Sequence, residues 1–267
     1  MADPAPVVEE RAPASVPRPR RVVVVGIGMG PQHVTPEAVA ALARVDVVLA
    51  FAKDGEDGSE DPLLAVRREV CVQQGLDLVV VPDPPRDRHE DVDYAAAVEA
   101  WHRARVGAYE RVLADHAGVL GLLVWGDPGL YDSTLRLLDA VGERVPLEVE
   151  VVPGIGSLPL LAARHRVVLH DVGHPLHVTT ARRLPEALAQ GQRNLVVMLN
   201  RRLELDGLED WSIWWGANLG GVGEALVAGR VGDVLPTIEA ARARAKEEAG
   251  WVLDLYLLRA PDEQAAG

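Results

Sequence analysis

The sequence predicts an α/β protein with two sheets, a parallel one in its first half and a mixed one in its second. Three observations carry this. Up to about residue 153, apolar strand-like runs alternate with helix-like segments, the pattern of a parallel sheet covered by helices. The first run, RVVVVGI (21–27), is continuous and β-branched, as in a strand buried on both faces. Beyond residue 153, strand-like runs outnumber helices and follow one another directly, which favours antiparallel pairing. The expected division is a disordered tail (1–20), a first α/β domain (21–153), a second α/β domain (154–260) and a short tail (261–267).

Each element has its own signal. After the first strand a helix is expected over 36–44, with Thr35 as N-cap and Pro36 at its first position. DVVLAF (46–51) reads as a second strand, 63–73 as a helix and LDLVVV (76–81) as a third strand. PDPPRDRHED (82–91) reads as a loop, and 92–114 as a long helix. VLGLLVW (119–125) is the fourth strand, 133–140 a helix with Ser133 and Thr134 available to cap it, and LEVEVV (147–152) the fifth strand. A short helix (158–164) opens the second half. Strands follow at 174–179, 194–199, 211–219 and 224–231, then a helix at 236–249 and a last strand at 251–258. Trp211, Trp214 and Trp215 fit either a buried strand or an interface.

Composition excludes several classes. The chain has 267 residues, 48% of them hydrophobic, and a net charge of −13. Nucleic-acid and membrane-surface proteins ordinarily need a basic face, so neither partner is expected. The acidity concentrates between Lys53 and Asp93, with 12 acidic residues against 5 basic, and reads as a solvated face. No apolar run approaches the roughly 20 residues of a membrane span, and the first 20 residues lack a signal-peptide core. A single cysteine, Cys71, rules out a disulfide within the chain and offers no thiolate pair for a metal. His174 and His177 lie three apart on a predicted strand, where such residues face opposite ways, so no metal site is expected. The chain reads as cytoplasmic.

Three glycine-rich turns follow strands one, four and five: GIGMG (26–30), WGDPGLYDST (125–134) and VPGIGS (152–157). Ligands of open parallel sheets bind beyond the carboxyl ends of the strands, and glycines let a ligand approach the backbone. Three such turns on one edge point to a shared cleft. The first is no dinucleotide fingerprint, because Pro31 stands where the third glycine belongs, and no Walker phosphate loop is present.

In order and spacing these three turns resemble those of the tetrapyrrole methylase family, S-adenosylmethionine-dependent enzymes with a parallel-sheet N-terminal domain, a mixed-sheet C-terminal domain and the active-site cleft between them. The resemblance covers about 21–259. AVRREVC (65–71), VEAWHRARVGAYERVL (98–113), LAARHRVVLH (161–170), HVTTARRL (177–184), WWGANLG (214–220) and GWVLDLYLLR (250–259) resemble the branch that methylates precorrin-5 at C-1 and releases an acetyl group as acetate. One departure is plain: GIGMGPQHVT (26–35) lacks the aspartate of the family's first loop and leaves His33 as its only titratable group.

The resemblance implies S-adenosylmethionine as cofactor, with S-adenosylhomocysteine as product. Gly126, Asp127, Pro128, Leu130 and Tyr131 would hold its amino-acid end and ribose; Thr179, Thr180, Met198, Leu199, Ala217 and Asn218 would hold the adenine; Ser157 would also bind the cofactor. The small-molecule partner would be a precorrin bearing many carboxylates, with Gly30 and Pro31 against it and Arg164, Arg182 and Arg183 pairing its charges. Methyl transfer is an in-line displacement that asks for positioning. Acetate release also asks for a base to activate water; His33, His165 and Asp127 are the candidates. The resemblance further implies a homodimer. The alternatives are a family member acting at another ring position or on another substrate, a nicotinamide-dependent oxidoreductase, which Pro31 and the missing glycine disfavour, and a non-catalytic tetrapyrrole carrier.

Overall fold

The computed structural model describes residues 19–52, 61–84 and 94–261. The two expected tails lie almost wholly outside these residues, as do most of the 82–91 loop and much of the acidic segment.

The first half builds a five-stranded sheet from β1 (Arg20–Gly26), β2 (Val47–Ala52), β3 (Leu78–Pro82), β4 (Val119–Val124) and β5 (Leu147–Val152), in the order β3-β2-β4-β1-β5. Every pairing is parallel. The alternation along β1 shows why an unbroken valine run was needed. Val23 and Val25 pack with Ala38, Leu42 and Val70 of α1 (Pro36–Leu42) and α2 (Pro62–Gln74). Val22 and Val24 pack with Tyr109, Val112 and Leu137 of α3 (Tyr94–Asp115) and α4 (Thr134–Gly142). A strand covered on both faces has no polar side to show. Thr35 caps α1 by accepting the Ala38 amide at 3.1 Å, and Asp61 caps α2 by accepting the Leu63 amide at 3.0 Å.

The second sheet is mixed. Its strands are β6 (His177–Thr180), β7 (Asn194–Met198), β8 (Ser212–Ala217), β9 (Ala225–Arg230) and β10 (Asp254–Arg259), in the order β6-β7-β10-β8-β9. β6 and β7 run parallel; the other pairs are antiparallel. The parallel pair corrects the expectation that these strands follow without a helix. A 3-10 turn (Ala181–Arg183) and α6 (Leu184–Ala189) make the crossover that parallel strands require. α5 (Ser157–His165) covers one face with Leu160 and Leu161; α6 and α7 (Val231–Ala249) cover the other with Leu184, Ile238 and Ala241. Trp215 is fully buried in that second core, and Trp211 and Trp214 are half-buried, as a core strand demands.

α7 begins five residues before the expected Pro236. Its first two amides find carbonyls in the preceding loop, Val231 N donating to Trp211 O (2.9 Å) and Gly232 N to Glu209 O (3.0 Å). With those orphan donors satisfied, the helix starts upstream and carries the proline inside it. Met29, from the loop after β1, packs with Leu219 and Leu255 beneath the second sheet and so ties the two halves together.

Candidate active site

The loops after β1, β4 and β5 meet backbone to backbone. Gly28 and Gly126 form an isolated antiparallel bridge, with N–H···O distances of 3.2 Å and 2.8 Å. A Cβ on Gly26 would lie 2.5 Å from the Gly154 nitrogen, and one on Gly154 would overlap the Gly126 carbonyl. Only glycine permits this approach. Asp127 completes the joint: its Oδ1 accepts the Gly129 amide at 2.8 Å and its Oδ2 the Gly154 amide at 3.0 Å.

Above this joint lies a cavity of about 220 Å³ with walls from both sheets. Met29, Trp125, Gly126, Asp127, Leu130, Tyr131, Asp132, Gly156 and Ser157 come from the three loops, and Leu63 and Arg67 from α2. Met198, Leu199, Leu219, Leu253, Asp254 and Leu255 come from the second sheet and its loops. Tyr131 (φ 51°) and Leu199 (φ 56°) hold left-handed backbone on this wall, and Asn218 (φ 46°) does so beside Leu219. Such strain persists where the surroundings fix it, and it gathers at ligand sites. Asn218 is fixed by its own amide: Oδ1 accepts the Leu253 amide (2.9 Å) and Nδ2 donates to the Trp251 carbonyl (3.2 Å).

The structure brings together seven of the predicted residues: Gly126, Asp127, Leu130, Tyr131, Ser157, Met198 and Leu199 all line this cavity. It does not bring the others there. Pro128 is not on the cavity wall. Thr179 is buried in β6, paired with Val197, and Thr180 ends that strand. Ala217 belongs to the core on the far face of the sheet, and Asn218 acts through Leu253. Ser133 makes no cap bond; Asp132 Oδ1 takes the Thr134 amide instead, at 2.7 Å.

The three candidate bases separate. His165 is half-buried outside the cavity, its Nε2 2.9 Å from the Trp215 carbonyl. Asp127 reaches the cavity, but both oxygens already accept amides. His33 sits in a 3-10 turn (Pro31–His33) against the second half, where the neighbouring Gln32 Nε2 donates to Gly220 O at 2.6 Å. Burial and then Arg164 lower the His33 pKa, while Glu224 opposes them. Gly30 and Pro31 open the same turn and lie off the cavity wall.

The predicted arginines also part company. Arg164 pairs with Glu224 at 2.8 Å and Arg183 with Glu186 at 3.0 Å. Arg182 lines a second cavity of about 550 Å³, together with Arg201, Arg202, Glu204 and Tyr256. Leu199 is shared by both cavities. Among the described residues none of Arg182, Arg201 and Arg202 has an ion pair.

Arg67 is the main residue that sequence reasoning missed. It lies three and four residues before the buried Val70 and Cys71, which puts a charge on the inner face of α2; that is the signal that could have found it. The cavity fits a cofactor with a charged end and an apolar body. Its wall is largely apolar and carries Arg67 with Asp127, Asp132 and Asp254. Asp127 is engaged by two amides and Asp254 by Trp215 and Arg242, which leaves Arg67 and Asp132 as the opposite charges without such partners. A Cβ at Gly126 would meet only Met29 Sδ (3.6 Å) and Gly156 Cα (3.8 Å). Among the described residues no group of three or more His, Cys, Asp or Glu is placed to hold a metal, and no helix is long and apolar enough to cross a membrane.

Known proteins resemble this chain in sequence and fold. A family model described as Tetrapyrrole (Corrin/Porphyrin) Methylases matches residues 21–235. The chain is 39% identical, over 251 residues, to "Precorrin-6A synthase [deacetylating]" of Sinorhizobium sp, covering 90% of this chain and 95% of that one. A cobalamin-synthesis-related protein, CobF, of Corynebacterium diphtheriae has a solved structure that matches with a TM-score of 0.78 and 31% identity, covering 92% of this chain and all of that one. A uroporphyrin-III C-methyltransferase of Thermus thermophilus, solved with S-adenosyl homocysteine, shares the fold at a TM-score of 0.55 and 20% identity over 90% of this chain and 97% of that one.

Proposed function

The chain belongs to the tetrapyrrole methylase family, and from that premise we propose that it transfers a methyl group from S-adenosylmethionine to C-1 of precorrin-5 with loss of the acetyl group as acetate, giving precorrin-6A. The observation that carries this reading is the 39% identity to a deacetylating precorrin-6A synthase across 90% of the chain. The joined loops after β1, β4 and β5 support it by presenting one cavity at the strand ends.

When bound, S-adenosylmethionine supplies an electrophilic methyl on a sulfonium. The chain's part is to hold the cofactor and the ring in line and to keep water from the methyl. Gly126, Leu130, Tyr131, Ser157, Met198 and Leu199 take the cofactor along the cavity wall. Asp127 orders the loops that form its floor. Arg182, with Arg201 and Arg202, takes ring carboxylates in the neighbouring cavity. In the deacetylation, water adds to the acetyl carbonyl, the bond to the ring carbon breaks, and its electron pair stays on the carbon that accepts the methyl. The same reading carries a cytoplasmic enzyme with a small-molecule partner, acting as a homodimer; sedimentation checks the last.

The test is incubation with precorrin-5 and methyl-labelled S-adenosylmethionine, followed by mass. Equal amounts of acetate and singly methylated product are expected. Methyl transfer without acetate would move the chain to another ring position, and no transfer to any precorrin would overturn the reading.

A further inference from the structure

Arg67 and Asp132 set a cation and an anion on the wall of one largely apolar cavity. Arg67 projects from α2, and its Nε donates to the Leu123 carbonyl near the end of β4 at 2.9 Å. That bond fixes the guanidinium beside the loop that carries Gly126. Among the described residues no carboxylate forms an ion pair with it. Burial lowers the Arg67 pKa, and Asp61 and Asp132 act against that effect. A cation taken from water without a close counter-charge costs free energy, which a bound anion restores.

Asp61 is not on the cavity wall; it caps α2. Asp132 is on it, held by the Thr134 amide through Oδ1 at the first turn of α4. Asp127 is the other carboxylate side chain in the loops here, but its two oxygens already serve Gly129 and Gly154. Asp254 of β10 also lines the cavity, but its carboxylate already pairs with Arg242 and accepts Trp215 Nε1, both at 3.0 Å. The remaining walls include Met29, Leu130, Leu219 and Leu255, which are apolar. A ligand with an amino-acid group at one end and an uncharged body matches this distribution.

We propose that Arg67 and Asp132 form a zwitterion receptor, Arg67 taking the α-carboxylate and Asp132 the α-ammonium of the cofactor's amino-acid end. The proposal rests on the reading of this cavity as the cofactor site. It places one of the two groups that fix the cofactor's direction outside the three glycine-rich turns, on α2, and the other at the end of the second turn, just before α4.

The test is calorimetry with three ligands that cannot be turned over: S-adenosylhomocysteine, its decarboxylated analogue and 5′-methylthioadenosine, which lacks the amino-acid group. Charge-assisted hydrogen bonds of this kind correspond to roughly tenfold or more in affinity. Arg67→Gln is expected to weaken S-adenosylhomocysteine at least about tenfold and to leave both other ligands within about twofold. Asp132→Asn keeps an acceptor for the Thr134 amide; it should weaken both amine-bearing ligands and spare 5′-methylthioadenosine. Equal losses for all three ligands would make Arg67 a purely structural residue. An unchanged S-adenosylhomocysteine affinity would assign Arg67 elsewhere, for example to a substrate carboxylate; either result overturns the proposal. Should Arg67→Gln not fold, the wild-type protein decides: less than about a twofold difference between S-adenosylhomocysteine and its decarboxylated analogue sinks it. Failure of wild type to bind S-adenosylhomocysteine at all would instead remove the cofactor reading, and this proposal with it.

Discussion

Asp127 and Gly154 are joined by a hydrogen bond of 3.0 Å that runs from the loop after β4 to the loop after β5. The same carboxylate holds the Gly129 amide within its own turn. One side chain therefore sets both the shape of a loop and its distance from the next.

Asp127→Ala leaves two amides without their acceptor. At about 1–3 kcal/mol for a buried donor, less where water reaches it, the loss should be roughly 2 kcal/mol. For a chain of this size that lowers Tm by about 4–8 °C. S-adenosylhomocysteine affinity should fall with it, because the cavity floor loosens. Asp127→Asn keeps one acceptor and should lie between the two. Thermal melts with and without ligand measure both effects; a variant that melts and binds like wild type would show that the backbone bridge alone holds the loops.

Gly126 and Gly154 should respond very differently to alanine. The Cβ of Gly154→Ala overlaps the Gly126 carbonyl and lies against Gly26, so backbone must move. The Cβ of Gly126→Ala has only ordinary contacts, and its cost is the left-handed φ of 74°, about 1–2 kcal/mol. Gly154→Ala is expected to destabilise by more than this and to abolish ligand-induced stabilisation. Gly126→Ala should fold, melt a few degrees lower and bind the cofactor more weakly. Denaturant melts of the two variants rank them, and the reverse order would contradict the packing of the three loops.

How much of this was legible in the sequence follows from what each residue touches. The valine run of β1 announced a strand buried on both faces, and the glycine-rich turns marked the strand ends that meet at the cavity. Those are local patterns. The start of α7 depends on carbonyls of Glu209 and Trp211, and no periodicity upstream of Pro236 encodes them. His165 reads as available for chemistry in the sequence, but the Trp215 carbonyl, 50 residues away, lies against its Nε2. Arg182 and Arg183 are adjacent in sequence, yet one faces a cavity and the other pairs with Glu186. Side-chain fate of this kind is tertiary, and composition cannot sort it.

Arg182, Arg201 and Arg202 share a cavity and lack ion pairs among the described residues, so they should act on a polycarboxylate substrate together. Arg182→Ala is expected to raise the precorrin KM roughly tenfold or more, with S-adenosylhomocysteine affinity unchanged. The Arg201→Ala and Arg182→Ala effects should be less than additive if one carboxylate bridges them. Steady-state kinetics at saturating cofactor measure this, and a KM indifferent to all three arginines would leave the cavity outside the substrate path.

His33 sets a pH dependence whose sign is fixed by its surroundings. Its Nδ1 is buried without a partner, and its ring stands so close to Gly220 that a Cβ there would lie 2.8 Å from Cε1. Nearby, Glu224 pairs with Arg164 and accepts the Gly220 amide. Burial, then Arg164, holds the folded-state pKa of His33 below its ordinary value of 6.5, and Glu224 offsets them only in part. In the unfolded chain the imidazole takes a proton near pH 6.5. Below that pH the unfolded state binds more protons than the folded one, so stability falls as pH falls. The contribution is complete above pH 6.5 and is lost as pH drops through the folded-state pKa, below which both states are protonated. His33→Gln removes this group and should flatten the decline of Tm between about pH 7 and 5 relative to wild type. Arg164→Leu should also flatten it, because it deletes one cause of the shift and leaves Glu224 to favour the imidazolium. Melts across that range, compared as differences from wild type, isolate His33 from the carboxylates that titrate lower; identical slopes in all three proteins would show that the ring is not held neutral by the fold.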